Sequence, residues 1–175
     1  TSLYLSMNRI DKLDYDFSVN MSNLKTLLLD SNQIEFVDVS AFANLDQLEH
    51  LSLSGNRITS LKENTFSNLF HLKNLNLAGN FLESVQLSLF SNLFNLDSLD
   101  LSSNRLKTIE DFTLTSLTYL TNLRLNNNYE FFLHPKSLDG LSCIVNVFVS
   151  FEMLKSEENR KCLLKSLNAQ LDKKV

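Results

Sequence analysis

The chain has 175 residues, a net charge of −4, 43% apolar residues and only three glycines and one proline. That length suits one domain with a substantial core. Interspersed charge of both signs gives no footprint for nucleic acid or an anionic membrane surface, no apolar run is long enough to span a bilayer, and two cysteines are too few for a disulfide scaffold.

The first predicted element is a short strand carrying Leu3 and Leu5, and it returns down the chain as Leu27/Leu29, Leu51/Leu53, Leu75/Leu77, Leu99/Leu101 and Leu123/Leu125. Each L-x-L pair has period two, so its leucines point inward and their neighbours outward. Each pair is followed by an asparagine, and Asn8, Asn32, Asn56, Asn80, Asn104 and Asn128 stand 24 residues apart. An asparagine amide both donates and accepts, so it satisfies backbone groups at a bend that no strand ladder serves. In-register stacking would line these side chains up as a ladder. No signal peptide opens the chain, which is uninformative because the first residues already lie inside a repeat.

Behind each asparagine come further fixed apolar columns. Ile10, Ile34, Ile58, Leu82 and Leu106 follow by two residues, and Phe42, Phe66, Phe90, Leu114 and Leu138 by ten. Burial of an apolar side chain is worth about 1.5–3 kcal/mol, while ordering the backbone costs about 1–2 kcal/mol per residue. A lone copy therefore loses, and only stacked copies sharing one core fold. A second column, Asn20, Asn44, Asn68 and Asn92 with Ser116, is expected to serve turns on the far side.

Towards the C-terminus the pattern decays. "CIVNVFVSFEML" keeps Ile144, Val147, Val149 and Leu154 in register, but Glu152 replaces the asparagine. The segment from Ser156 reads as a helix, with Ser156 as N-cap, Glu157 and Glu158 in the first turn, Cys162, Leu163, Leu167 and Leu171 on one face and lysines at the end.

The pattern L-x-x-L-x-L-x-x-N-x-I-x-x-[LV]-x-x-x-x-F-x-x-L, as in Leu48 to Leu69, resembles leucine-rich repeat proteins. The repeat length and phenylalanine column are similar to the extracellular class, seen in Toll-like ectodomains and insect leucine-rich immune proteins. The resemblance implies an α/β fold. It would be a leucine-rich repeat solenoid, a curved right-handed superhelix with a parallel β-sheet on its concave face and a C-terminal helical cap. Residues 1–154 would form six regular repeats and one degenerate repeat, and residues 155–175 the capping helix. It also implies a non-catalytic module for protein recognition, secreted or part of an ectodomain, with innate immunity the leading role. The alternatives are an extracellular matrix or neural adhesion module and a cytoplasmic scaffold or adaptor. Cys143 and Cys162 flank the last repeat and the helix. A cap disulfide between them, which fits secretion, is expected; the alternative is two buried free thiols. The family's full cap usually has four cysteines, so this chain departs from it. Asn20-Met21-Ser22 is the one glycosylation sequon, on the back half of a repeat.

A stacked strand face offers a concave binding surface. The outward column four residues before each asparagine reads Tyr4, Leu28, Ser52, Asn76, Asp100 and Arg124, continuing to Phe148; His50 lies beside it. Large side chains gather at the two ends, and interfaces favour aromatics and arginine as anchors. The partner-binding candidates are Tyr4, Leu28, His50, Asn76, Asp100, Arg124 and Phe148. The expected partner is a protein ligand, a second leucine-rich repeat chain among the candidates, so a dimer is compatible. Nucleic acid and membrane insertion are not expected.

No catalytic set stands out. His50 lies near Glu49 and Ser52, but no third group is placed to orient it; His71 and His134 fall in surface segments. Two cysteines and three scattered histidines have no zinc spacing, and there is no glycine-rich phosphate loop. No enzyme activity, metal or cofactor is expected.

Overall fold

The computed structural model describes residues 1–144 and 146–171, with side chains through Lys165. In chain order the strands are β1 (Ser2–Tyr4), β2 (Lys12–Leu13), β3 (Thr26–Leu28), β4 (Phe36–Val37), β5 (His50–Ser52), β6 (Asn74–Asn76), β7 (Ser98–Asp100), β8 (Thr108–Ile109), β9 (Asn122–Arg124), β10 (Phe132–Leu133) and β11 (Asn146–Phe148). A 3-10 turn (Met153–Lys155) follows β11 and leads into the helix α1 (Glu157–Leu171).

Strands β1, β3, β5, β6, β7, β9 and β11 form one parallel sheet in that order, and β2 pairs with β4 and β8 with β10. The register repeats the sequence period: Leu3 faces Leu27, Leu27 faces Leu51, Leu51 faces Leu75 and Leu99 faces Leu123. The chain is a curved solenoid with this sheet on its concave side. Its central leucines are buried from β3 to β9. The far side is built from tight turns, since so few residues separate one strand from the next.

The core is continuous from turn to turn. Phe42, Phe66 and Phe90 are buried, and the first two rings stack with centroids 5.8 Å apart. Stacked or offset rings at this distance add attraction beyond buried area.

Five asparagines weld the turns together. The Asn80 Nδ2 donates to Leu53 O in the preceding turn at 2.9 Å and to Leu77 O in its own at 3.1 Å, while its Oδ1 accepts the Ile58 N–H at 3.1 Å. Asn32, Asn56 and Asn104 repeat this arrangement, and Asn128 does the same with Leu101, Leu125 and Leu106. All five are buried. Asn8 departs from the expected ladder: it is exposed, and its amide donates only to Leu5 O and Ser6 O of its own turn. The second asparagine column stitches the far side, with Asn68 donating to Ala43 O and Asn92 to Ser67 O.

The residue before each rung has a left-handed backbone. Met7, Ser31, Gly55, Gly79, Ser103 and Asn127 all have φ between 54° and 65°. The bend that the asparagine amide serves therefore needs a conformation that costs L-residues roughly 1–2 kcal/mol, and only two of the six positions are glycine.

At the C-terminal end Ser156 caps α1, its Oγ accepting the Asn159 N–H at 3.3 Å. Glu157 and Glu158 occupy the first turn. Cys162 and Leu163 are buried against the last turns. Leu167, Leu171 and the terminal lysines lie outside the described side chains. The expected disulfide is not formed. Cys143 is an exposed free thiol and Cys162 a buried one. The Cys162 Sγ points instead at His134 O, 3.4 Å away, so the helix packs its sulfur against the sixth turn rather than towards Cys143.

Candidate functional site

The outward side chains of the sheet form a polar face whose groups mostly bond to one another. His50 Nδ1 and Asn74 Nδ2 are 2.8 Å apart, and Asn76 Oδ1 accepts the Ala78 N–H at 3.0 Å. The His50–Asn74 contact follows from the parallel register, which sets equal positions of adjacent turns about 4.8 Å apart, whereas the Asn76 bond closes a local turn within its own repeat.

The sequence-derived candidates divide into three groups. Tyr4 pairs in register with Leu28 at the first edge, Tyr4 being 68% exposed. His50 and Asn76 sit half-buried at the centre, each held by the hydrogen bonds just described. Asp100, Arg124 and Phe148 come together across three consecutive turns. Arg124 Nε lies 3.9 Å from Asp100 Oδ2, and its guanidinium carbon lies 4.3 Å from the centroid of the Phe148 ring. Asp100 is further fixed by accepting the Ser102 N–H at 2.9 Å and its hydroxyl at 2.6 Å. Phe148 remains 39% exposed, although it lines one cavity with Arg160, Leu163 and Leu164 of α1. An arginine held between a carboxylate and an aromatic face loses little freedom on binding and presents a flat, partly apolar surface.

Two further clusters carry no role in the sequence pattern. Asp30 gathers three hydroxyls: Ser6 at 3.1 Å, Ser54 at 2.8 Å and Ser52. Glu49 bridges Lys25 at 2.8 Å and Lys73 at 2.6 Å. The hydrogen bonds from Lys25 and then Lys73 lower the Glu49 carboxyl from 4.5 to about 2. The signal for both was available: residues 24 apart must touch once the turns stack. No group of histidine, cysteine and carboxylate side chains among the described residues could hold a metal ion.

The leucine-rich repeat model matches residues 1–58, 22–82, 48–106, 70–129 and 94–154, which together span nearly all of the solenoid. The chain belongs to the leucine-rich repeat family. It is a leucine-rich repeat protein of the Toll-like ectodomain type. A crystal structure of the TLR13–ssRNA13 complex matches with a TM-score of 0.73 and 31% identity over 86% of this chain. This chain spans 22% of that one. No curated protein matches.

That neighbour corrects the exclusion of nucleic acid. A leucine-rich repeat chain similar to this one is found in a complex with single-stranded RNA, so the charge balance does not exclude that ligand. The physical reason is that net charge averages over the whole surface. Single strands are held by local cations and by stacking on aromatic faces, which total charge does not record. The family supplies interaction modules, and its repeats build surfaces rather than enclosed catalytic clefts.

Proposed function

We propose that this chain is a non-catalytic recognition module of innate immunity, secreted or part of an ectodomain, that binds a protein partner on its concave face. The observation that carries the reading is the 31% identity to a Toll-like chain over 86% of this one. The partner would seat on Asp100, Arg124 and Phe148, with Asn76 and His50 beside them and Tyr4 and Leu28 at the far edge. The exposure and preorganisation of the Arg124–Phe148 pair support that placement. Asn20 is proposed as a glycosylation site: it is exposed, and its φ of 64° sets it in a turn away from the sheet. The test is a pull-down from extracellular fluid with this chain and with its Arg124→Ala/Phe148→Ala variant. Loss of a partner that the unaltered chain recovers is expected; recovery of the same partners by both would remove the concave site.

A second reading has its own observation. The solved neighbour is a complex with single-stranded RNA, so single-stranded nucleic acid is a candidate ligand of this chain as well. Titrating the chain with a labelled single-stranded RNA oligonucleotide tests it, and no binding at low salt would end it.

A further inference from the structure

The residue directly after each ladder asparagine reads Arg9, Gln33, Arg57, Phe81, Arg105 and Tyr129. These positions lie on the rim where the chain leaves the sheet, outside the concave face. All except Gln33 are exposed, Tyr129 at 79%. Arginines therefore recur every second turn, and the last two gaps between and beyond them hold aromatics. Two side chains of this column touch across adjacent turns: the Arg105 guanidinium carbon lies 4.3 Å from the centroid of the Phe81 ring.

We infer that this rim is a binding track for single-stranded nucleic acid; the assignment rests on the nucleic-acid reading above and gives it a location. With turns about 4.8 Å apart, Arg9 to Tyr129 covers at least about 24 Å, long enough for several nucleotides. Arginines two turns apart contact phosphates, while Phe81, the Arg105 guanidinium stacked on it and Tyr129 offer flat surfaces for bases. Both are the elements of sequence-tolerant single-strand binding. The Arg57 guanidinium is 3.4 Å from Glu35, but both side chains are more than half exposed, so phosphate competes for the arginine at small cost. Glu83 and Asp11 also lie on the rim, so its net charge is small and stacking supplies most of the affinity. A duplex hides its base faces and is a poor ligand for such a track.

The probe is a fluorescently labelled single-stranded RNA 20-mer of mixed sequence, read by anisotropy against the full chain. The Phe81→Ala/Tyr129→Ala variant is expected to bind about tenfold or more weakly, and Arg57→Ala/Arg105→Ala to flatten the dependence of log K on log salt by about 1.4. Leu87→Ala, exposed on another side, is the control expected to match the unaltered chain. Circular dichroism confirms that each variant is folded. Binding by the unaltered chain with no loss in either double variant overturns the track and leaves the nucleic-acid reading standing. Absence of binding by the unaltered chain overturns both. Equal binding of the duplex, or displacement of the RNA by polyglutamate at equal charge, assigns the rim to simple anion or acidic-protein binding and overturns the track.

Discussion

Asn159 Oδ1 accepts the Leu133 N–H at 2.7 Å, although one residue belongs to α1 and the other to β10. Its Nδ2 donates to Phe131 O and Met153 O, both at 3.0 Å, and the side chain is fully buried. The helix thus supplies a buried amide to the last turns, where Glu152 breaks the asparagine ladder, but it serves Phe131 and Leu133 rather than the groups a ladder residue would meet. Asn159→Ala removes three bonds and leaves buried backbone groups unpaired, each costing about 1–3 kcal/mol. The expected result is release of α1 with the turns before β10 intact, seen as early tryptic cleavage at Lys161 and Lys165. Unchanged protection of those bonds would contradict this.

The left-handed bends give a pair of opposite predictions. Met7→Gly relieves an αL side chain at an exposed site and is expected to raise stability by about 0.5–1 kcal/mol. Gly79→Ala puts a Cβ at φ +65°, where its nearest neighbour, Gly55 N, is at an ordinary 3.4 Å. The cost is therefore conformational, about 1 kcal/mol, without a clash. Urea midpoints of the two variants should move in opposite directions.

The two thiols should react unequally. Cys143 is exposed, whereas burial pushes the Cys162 thiol pKa up, outweighing the hydrogen bond with Ser137. Because the thiolate is the reactive form, iodoacetamide is expected to modify Cys143 alone in the native chain and both residues in denaturant. Mass spectrometry of the modified peptides checks this. Equal native labelling, or neither thiol free, would contradict the packing of α1.

Glu49 makes stability depend on pH in a stated window. Its folded-state carboxyl is lowered to about 2 from 4.5, so the folded state holds the proton less tightly than the unfolded state. The contribution is fully present above about 4.5 and is lost as pH falls towards 2. Glu49→Gln is expected to flatten the fall in stability across that window and to leave its shape above pH 6 unchanged. Denaturation midpoints as a function of pH decide it; parallel curves for the two proteins would contradict the assignment.

Much of this fold was legible because the period of the chain is the period of the structure. Leucines at equal offsets become register partners, as Leu51 and Leu75 do. The concave face was legible for the same reason. What the pattern hid was whatever broke the period or depended on backbone sign. Asn159 sits outside the repeat register, so nothing in the spacing tied it to Leu133. Met7, Ser31 and Ser103 share a φ with Gly55 and Gly79 but no side-chain chemistry, so their column looked arbitrary. The cysteine pair misled because closeness in the chain to the last turn says nothing of which side of α1 faces it.

The asparagine ladder is what fixes the turns, and with them any ligand-binding face, in one register. Native-state hydrogen exchange at the amides of Ile34, Ile58, Leu82 and Leu106 tests it directly, since each donates to the asparagine of the next turn at 3.0–3.1 Å. In the unaltered chain these four amides should exchange only on global unfolding. In Asn80→Ala protection should fall first at Ile58, with a loss of stability of about 1–3 kcal/mol, while Asn8→Ala leaves all four unchanged. Fast exchange at these amides in the unaltered chain, or equal effects of the two substitutions, would contradict the account.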